Sequence, residues 1–345
     1  MKKLFLVFLF LFPAVAFSQP GLIRSFELAP SDIALTRLAQ PGTPFDKVGR
    51  RFAILGFESG TFEAWAYPLK LIRSCELSFF IGSSTEPIRA RDIVRHITVT
   101  PEATILTSTY QSFTIKAIFI TPIDEPGAMI LLDVSATEPL TIMCSFLPVL
   151  QPMWPAGLGG QSAYWLNDIK AYQISEPTRR NTALIGSPSA SGISYTPAHM
   201  LSDVPNQFKI EIRNPKDVAG KFIPIFLAGG KGSRDTVKAV YLNLMKNPEE
   251  HYRRTVEHYR SLRAGTLQIE TPDRSINLAL EWAKIAYDNL MVRNPDLGYG
   301  MVAGLGASGT GGRPGFGWFF GGDTYINSFS LNSLGAFETV KDALA

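Results

Sequence analysis

Between Gly312 and Thr324 the chain reads Gly-Arg-Pro-Gly-Phe-Gly-Trp-Phe-Phe-Gly-Gly-Asp-Thr, with four aromatic side chains within five residues, flanking glycines and a carboxylate. Glycine lets backbone approach a ligand closely, flat aromatic faces suit the C–H faces of a sugar ring, and Asp323 offers acceptors to paired hydroxyls. The same residues also suit an arrangement in which Phe316, Trp318, Phe319 and Phe320 are the core of a buried loop and Asp323 caps the helix that follows. The two arrangements are compatible, because a cap at a pocket floor can present its free oxygen to a ligand.

The elements that must hold this stretch are helical. Thr271-Pro272 opens a helix with proline at its first position, and Ile276, Leu280, Ala283, Tyr287 and Leu290 recur at spacings of three and four residues as its apolar stripe. It ends before Asn294-Pro295. A loop follows in which nine of the nineteen residues from Gly304 to Gly322 are glycine, and a last helix starts near Asp323 with Ile326, Phe329, Ser333 and Phe337 on its inner face. Within the loop, Gly304-Leu305-Gly306-Ala307-Ser308-Gly309 matches a dinucleotide fingerprint, but that fingerprint requires a helix at the glycines, and here the loop continues through Thr310 to Pro314.

Upstream, from about Phe26 to Leu227, the chain reads as strand after strand. Ser112 to Thr121 places Phe113, Ile115, Ala117 and Phe119 on one face and Thr114 and Lys116 on the other, the period of a half-buried strand. Many such short segments between turn residues predict a large antiparallel β-sandwich over 19–232. Trp65, in Phe62–Leu69, and Trp154, in Gln151–Gly160, are candidate aromatic loop tips or buried loop anchors. Ala228-Gly229-Gly230-Lys231-Gly232-Ser233 lacks the first glycine of a phosphate-cradling loop and reads as a flexible joint. Two helices, Arg234–Lys246 and Pro248–Arg263, then form a helical linker over 233–265, with His251, Arg253, Arg254, Glu257 and Arg260 as a solvated face.

A chain of 345 residues exceeds the usual single-domain size, and 46% hydrophobic content is ample for a core. Lys+Arg 33 against Asp+Glu 30 gives a net charge of +3, with no basic surface for nucleic acid, so a neutral or polar partner is expected. Lys2 and Lys3, the apolar run Leu4 to Phe12, and Ala16-Phe17-Ser18 read as a cleavable export signal over residues 1–18, which predicts a periplasmic or extracellular protein with no stable membrane span. Cys75 and Cys144 could pair or stay as buried thiols, and the four scattered histidines suggest no metal site; no cofactor is implied.

This order of parts, ending in Gly-Arg-Pro-Gly-Phe-Gly-Trp-Phe-Phe-Gly-Gly-Asp-Thr, resembles bacterial amylo-α-1,6-glucosidase (glycogen-debranching-like) proteins of the six-hairpin glycosidase superfamily. Phe62–Leu69 and Met153–Gly160 are also similar to that group's sandwich domain (a supersandwich). The resemblance implies an (α/α)6 catalytic barrel begun by residues 266–345 and truncated after its first hairpin, and inverting hydrolysis of α-glucosidic bonds in oligo- or polysaccharides. It also implies that Asp323 holds the terminal sugar, with Trp318 and Phe320 as walls and Arg313 shaping the loop. The family's acid and base come from later hairpins, so the resemblance implies an N-terminal fragment without catalytic residues; Asp323 as a general acid is the other possibility within it. From the residues alone, a complete non-catalytic carbohydrate-binding or interaction module is the alternative.

Overall fold

The computed structural model describes residues 19–153, 160–195 and 204–344. The leader segment and Trp154 lie outside the described residues. Two antiparallel sheets dominate. In the larger, ten-stranded one, the spatial order runs Ser162–Leu166, Ala171–Ser175, Asn181–Gly186, Lys221–Lys231, Gly127–Ala136, Phe113–Ile120, Thr104–Tyr110, Val94–Val99 and Leu35–Leu38, with Ile23–Arg24 pairing Lys221–Lys231. The smaller, of eight strands, runs Gly192–Tyr195, Asn206–Ile212, Leu140–Pro152, Leu69–Ile81, Phe62–Ala66, Phe52–Phe57 and Pro44–Val48, with Ile88–Arg89 pairing Leu69–Ile81.

The period-two pattern explains the core between them. Phe113, Ile115, Ala117 and Phe119 all enter the inter-sheet core, where Phe119 meets Phe62 edge-on at 5.6 Å between ring centroids. The opposite face of that strand changes character along its length. Lys116 reaches water beside Asp133 across the strand pair, whereas Ile118 and Ile120 lie in a second apolar cluster with Met129, Leu131 and Phe226. Two helices cover that cluster, α1 (Arg234–Lys246) through Val237, Tyr241 and Leu244, and α2 (Pro248–Ala264) through Tyr252 and Val256. The pair expected as a linker is thus a covering layer on the larger sheet.

Other local expectations change with this packing. Ala228 to Lys231 is the end of a strand and not a joint, with Gly229 N–H donating to Pro126 O at 3.0 Å. His251 is buried against α1, 3.2 Å from the Asn243 amide, and desolvation holds its pKa below the usual imidazole value. Arg253, Arg254 and Glu257 do form an exposed ion-paired face with Glu250. Cys75 and Cys144 are buried free thiols with Sγ atoms 3.8 Å apart on adjacent strands. No helix among the described residues is long and apolar enough to cross a membrane.

Beyond residue 265 come α3 (Arg274–Asn289), a hairpin of Met291–Asn294 and Gly298–Met301, the glycine-rich loop, α4 (Gly321–Ser333) and α5 (Phe337–Leu344). Helix α3 starts two residues after Pro272, capped by Asp273 accepting from Ser275 N–H. Its buried residues are Lys284, Ile285 and Asp288, while Ile276 of the expected stripe is 52% exposed. Helix α4 differs likewise, turning Thr324, Ser328 and Leu331 inward and leaving Ile326 67% and Phe329 60% exposed. The buried hydroxyls remain satisfied because Thr324 donates to Phe320 O at 3.1 Å and Ser328 to Thr324 O at 2.8 Å, one turn back.

A buried ion pair ties α3 to the sandwich. Arg50, in the turn after Pro44–Val48, donates to the Asp288 backbone oxygen at 2.6 Å and forms a salt bridge with its carboxylate, and His258 of α2 donates to the other carboxylate oxygen at 2.8 Å. Burial would raise the Asp288 pKa, but the His258 hydrogen bond and the Arg50 charge outweigh it, and the carboxyl sits below its usual range. Asp288→Ala should cost about 3–5 kcal/mol at neutral pH, because Arg50 would be left buried and unpaired. A carboxyl with a depressed folded pKa stabilises the fold above its unfolded pKa of about 4 and ceases to do so as pH falls through the folded value. Urea midpoints measured below pH 4 should therefore fall less steeply for Asp288→Asn than for the unsubstituted chain.

Candidate functional site

The glycine-rich loop lies on the outer face of the smaller sheet, and the sheet's own pleat prepares that face. In Phe52–Phe57, Phe52 and Ile54 enter the inter-sheet core, while Ala53 and Leu55 point outward into a third cluster with Trp65, Tyr67, Val292 and Val302. Leu305, Ala307, Trp318 and Phe319 of the loop pack on that cluster. Two backbone hydrogen bonds fold the loop back on itself, Ala303 N–H to Trp318 O and Gly304 N–H to Phe316 O, both 3.2 Å. Two glycines are required. Gly315 has φ +63° and approaches Gly306 so closely that a Cβ would lie 3.0 Å from its nitrogen, and a Cβ on Gly317 would lie 2.8 Å from Pro314 O.

A second buried ion pair fastens the loop. Glu63 and Lys70 flank the sharp bend between Phe62–Ala66 and Leu69–Ile81, with Nζ 3.4 Å from the carboxylate. The ammonium also donates to Ser308 Oγ at 2.7 Å, Gly309 O at 2.9 Å and Gly311 O at 3.1 Å, and stands 4.8 Å from the Trp65 ring centroid. Glu63 accepts from Trp65 Nε1 at 2.8 Å, Ser308 N–H at 2.9 Å, Ser308 Oγ at 3.1 Å and Gly309 N–H at 3.0 Å. Desolvation, opposed by Glu63, holds the Lys70 pKa below the usual lysine value. Burying these charges costs several kcal/mol each before their attraction and hydrogen bonds offset it, so what the pair contributes is chiefly position.

The residues expected to bind a ligand divide into two groups. Trp318 and Phe319, with ring centroids 6.3 Å apart, are half-buried anchors of the loop. Arg313, Phe316 and Phe320 form a stack, with the guanidinium 5.6 Å from the Phe316 centroid and 5.3 Å from that of Phe320. Phe316 is 66% exposed. Asp323 is exposed in the first turn of α4, and its carboxylate has no hydrogen bond to another described residue. Phe320 occupies the cap position with no side-chain cap bond, so Asp323 does not cap α4; its charge still suits the positive end of the helix. Trp65 is a buried strand residue and not a loop tip. Glu63 and Lys70 went unrecognised in the sequence, although two opposite charges within the apolar run Phe62 to Leu71 are their signal.

No family model matches the chain, and no curated protein matches its sequence. Among solved structures, a bacterial glucoamylase complexed with acarbose aligns with a TM-score of 0.50 at 11% identity, over 79% of this chain and 43% of that one. A putative kojibiose phosphorylase from human microbiome gives 0.44 at 9% identity, over 74% and 35%. A gh92 family glycosyl hydrolase gives 0.43 at 10%, over 77% and 42%. The chain therefore spans less than half the length of each, and at 11% identity the likeness to the glucoamylase is one of fold.

Glu63→Gln and Lys70→Met should each destabilise the chain by about 3–5 kcal/mol, and the double replacement by less than the sum, since each single change strands the other buried charge. Amide exchange across residues 303–312 should rise in both single variants while the inter-sheet strands stay protected.

Proposed function

We propose that the loop from Gly304 to Gly322 and the first turn of α4 hold the terminal sugar of an α-glucan-like oligo- or polysaccharide. The observation that carries the reading is the Asp323 carboxylate, exposed and without a hydrogen-bonding partner among the described residues, three positions after Phe320 of the stack with Arg313 and the exposed Phe316. Aromatic faces bind the apolar side of a sugar ring, and a free carboxylate accepts from two adjacent hydroxyls. The fold shared with a glucoamylase that was complexed with acarbose supports the same substrate class.

In this reading residues 1–18 direct export, 19–232 form the sandwich, 233–265 the helical layer and 266–345 the beginning of an (α/α)6 glycosidase domain of amylo-α-1,6-glucosidase type. Inverting hydrolysis needs an acid and a base about 6.5–9.5 Å apart. Glu63, a carboxylate that bonds the loop, is buried and committed to Lys70 and to Ser308 and Gly309. In this reading residues 19–345 bind the sugar without hydrolysing it. A second reading, a non-catalytic carbohydrate-binding or interaction module, draws on the outward apolar side chains Tyr325, Ile326, Phe329 and Phe337, all more than half exposed.

Calorimetric titration with maltotriose should give saturable binding, weakened at least tenfold, about 1.4 kcal/mol, by Asp323→Asn and further by Phe320→Leu. Release of glucose by residues 19–345, abolished by Asp323→Asn, would instead make Asp323 a general acid and overturn the sugar-holding assignment.

A further inference from the structure

Two of the residues that line one cavity, Gln19 and Ser189, each carry a buried side-chain atom, Nε2 and Oγ, without a hydrogen-bond partner among the described residues. That cavity, about 570 Å³, opens where the edge strand Ser162–Leu166 of the larger sheet faces the edge strand Gly192–Tyr195 of the smaller one. Such a volume is in the range of small-molecule sites. Ser189 is 3% exposed, and an orphaned hydroxyl at that depth is costly unless something occupies the space beside it.

The walls specify what that would be. Trp165 is half-buried, held edge-on by Tyr172 at 5.1 Å and tilted against Phe208 at 6.0 Å, and contributes the rest of its indole to the cavity. Asn167, exposed in the adjoining turn, has an amide without a partner among the described residues. Glu211 and Asp217 supply acceptors, already fixed in place by Lys209 at 2.6 Å and by the Asn214 amide at 3.3 Å. With Lys170 and Arg213 also lining the cavity, the charges balance at two of each sign, which disfavours a strongly ionic ligand. A rigid aromatic wall, orphaned hydroxyl and amide groups, prepositioned carboxylates and no net charge match a neutral polyhydroxylated molecule.

We propose that this edge cavity is a saccharide-binding site, separate from the glycine-rich loop. The loop docks beside Phe62–Ala66, four strand spacings from Gly192–Tyr195 across the smaller sheet, roughly 19 Å. The inference stands on the cavity alone and does not require the loop to bind sugar.

The test uses the chain carrying Asp323→Asn and Phe320→Leu, so that the loop's contribution is weakened, titrated calorimetrically with maltotriose and with cellotriose. Saturable binding of at least one trisaccharide is expected to persist. Adding Asn167→Ala and Ser189→Ala should weaken it at least tenfold with a melting temperature no lower than before, since neither side chain holds another described residue in place through its side-chain oxygen or amide. Absence of saturable binding in the loop-substituted chain, or equal affinity after the two cavity substitutions, overturns the proposal. Binding by the unsubstituted chain that vanishes with the loop substitutions would sink this site and leave the loop reading intact.

Discussion

Each of the two sheets buries apolar side chains on both faces over part of its area, and every other layer follows from that constraint. A strand alternates its side chains, so Phe52 and Ile54 cannot fill the inter-sheet core without sending Ala53 and Leu55 to the far side of the smaller sheet. On the larger sheet the same geometry sends Ile118 and Ile120 away from Phe119. Left in water, these outward faces would forfeit on the order of 1.5–3 kcal/mol per large side chain. Helices α1 and α2 cover one, and the glycine-rich loop with its hairpin covers the other.

Apolar contact fixes that the layers touch, but it is not directional, and polar ties fix how. Arg50 with Asp288 joins the sandwich to α3, and Lys70 with Glu63 joins it to the loop. In both, the charges are surrounded by further hydrogen bonds, from His258 in the first and from Trp65, Ser308 and Gly309 in the second. Full satisfaction is what makes such burial tolerable. The loop can then hold Phe316 outward beside Arg313 because Trp318 and Phe319 anchor it.

The two readings of the aromatic run are therefore both realised, by different residues. Trp318 and Phe319 pack on the core, whereas Phe316 and Asp323 face solvent, a division that the order of residue types does not reveal. The helices show the same limit. Ile326 and Phe329 are spaced as an inner face, yet α4 buries Thr324, Ser328 and Leu331, because hydroxyls bonded to their own helix pack closely against neighbours at little polar cost.

By itself the sequence determined what depends on short-range periodicity and on backbone chemistry. The strands of the sandwich, the inward set Phe113, Ile115, Ala117 and Phe119, and the glycines around Gly315 follow from alternation and from the space that a side chain would need. Only the tertiary structure decided which helix faces are buried, that Ala228 to Lys231 completes a strand, and that Glu63 and Lys70 clasp residues 308–311 from about 240 positions away in the chain. Long-range pairing of charges leaves no periodic trace, since either partner of a buried ion pair reads locally as a misplaced polar residue until the other is brought beside it.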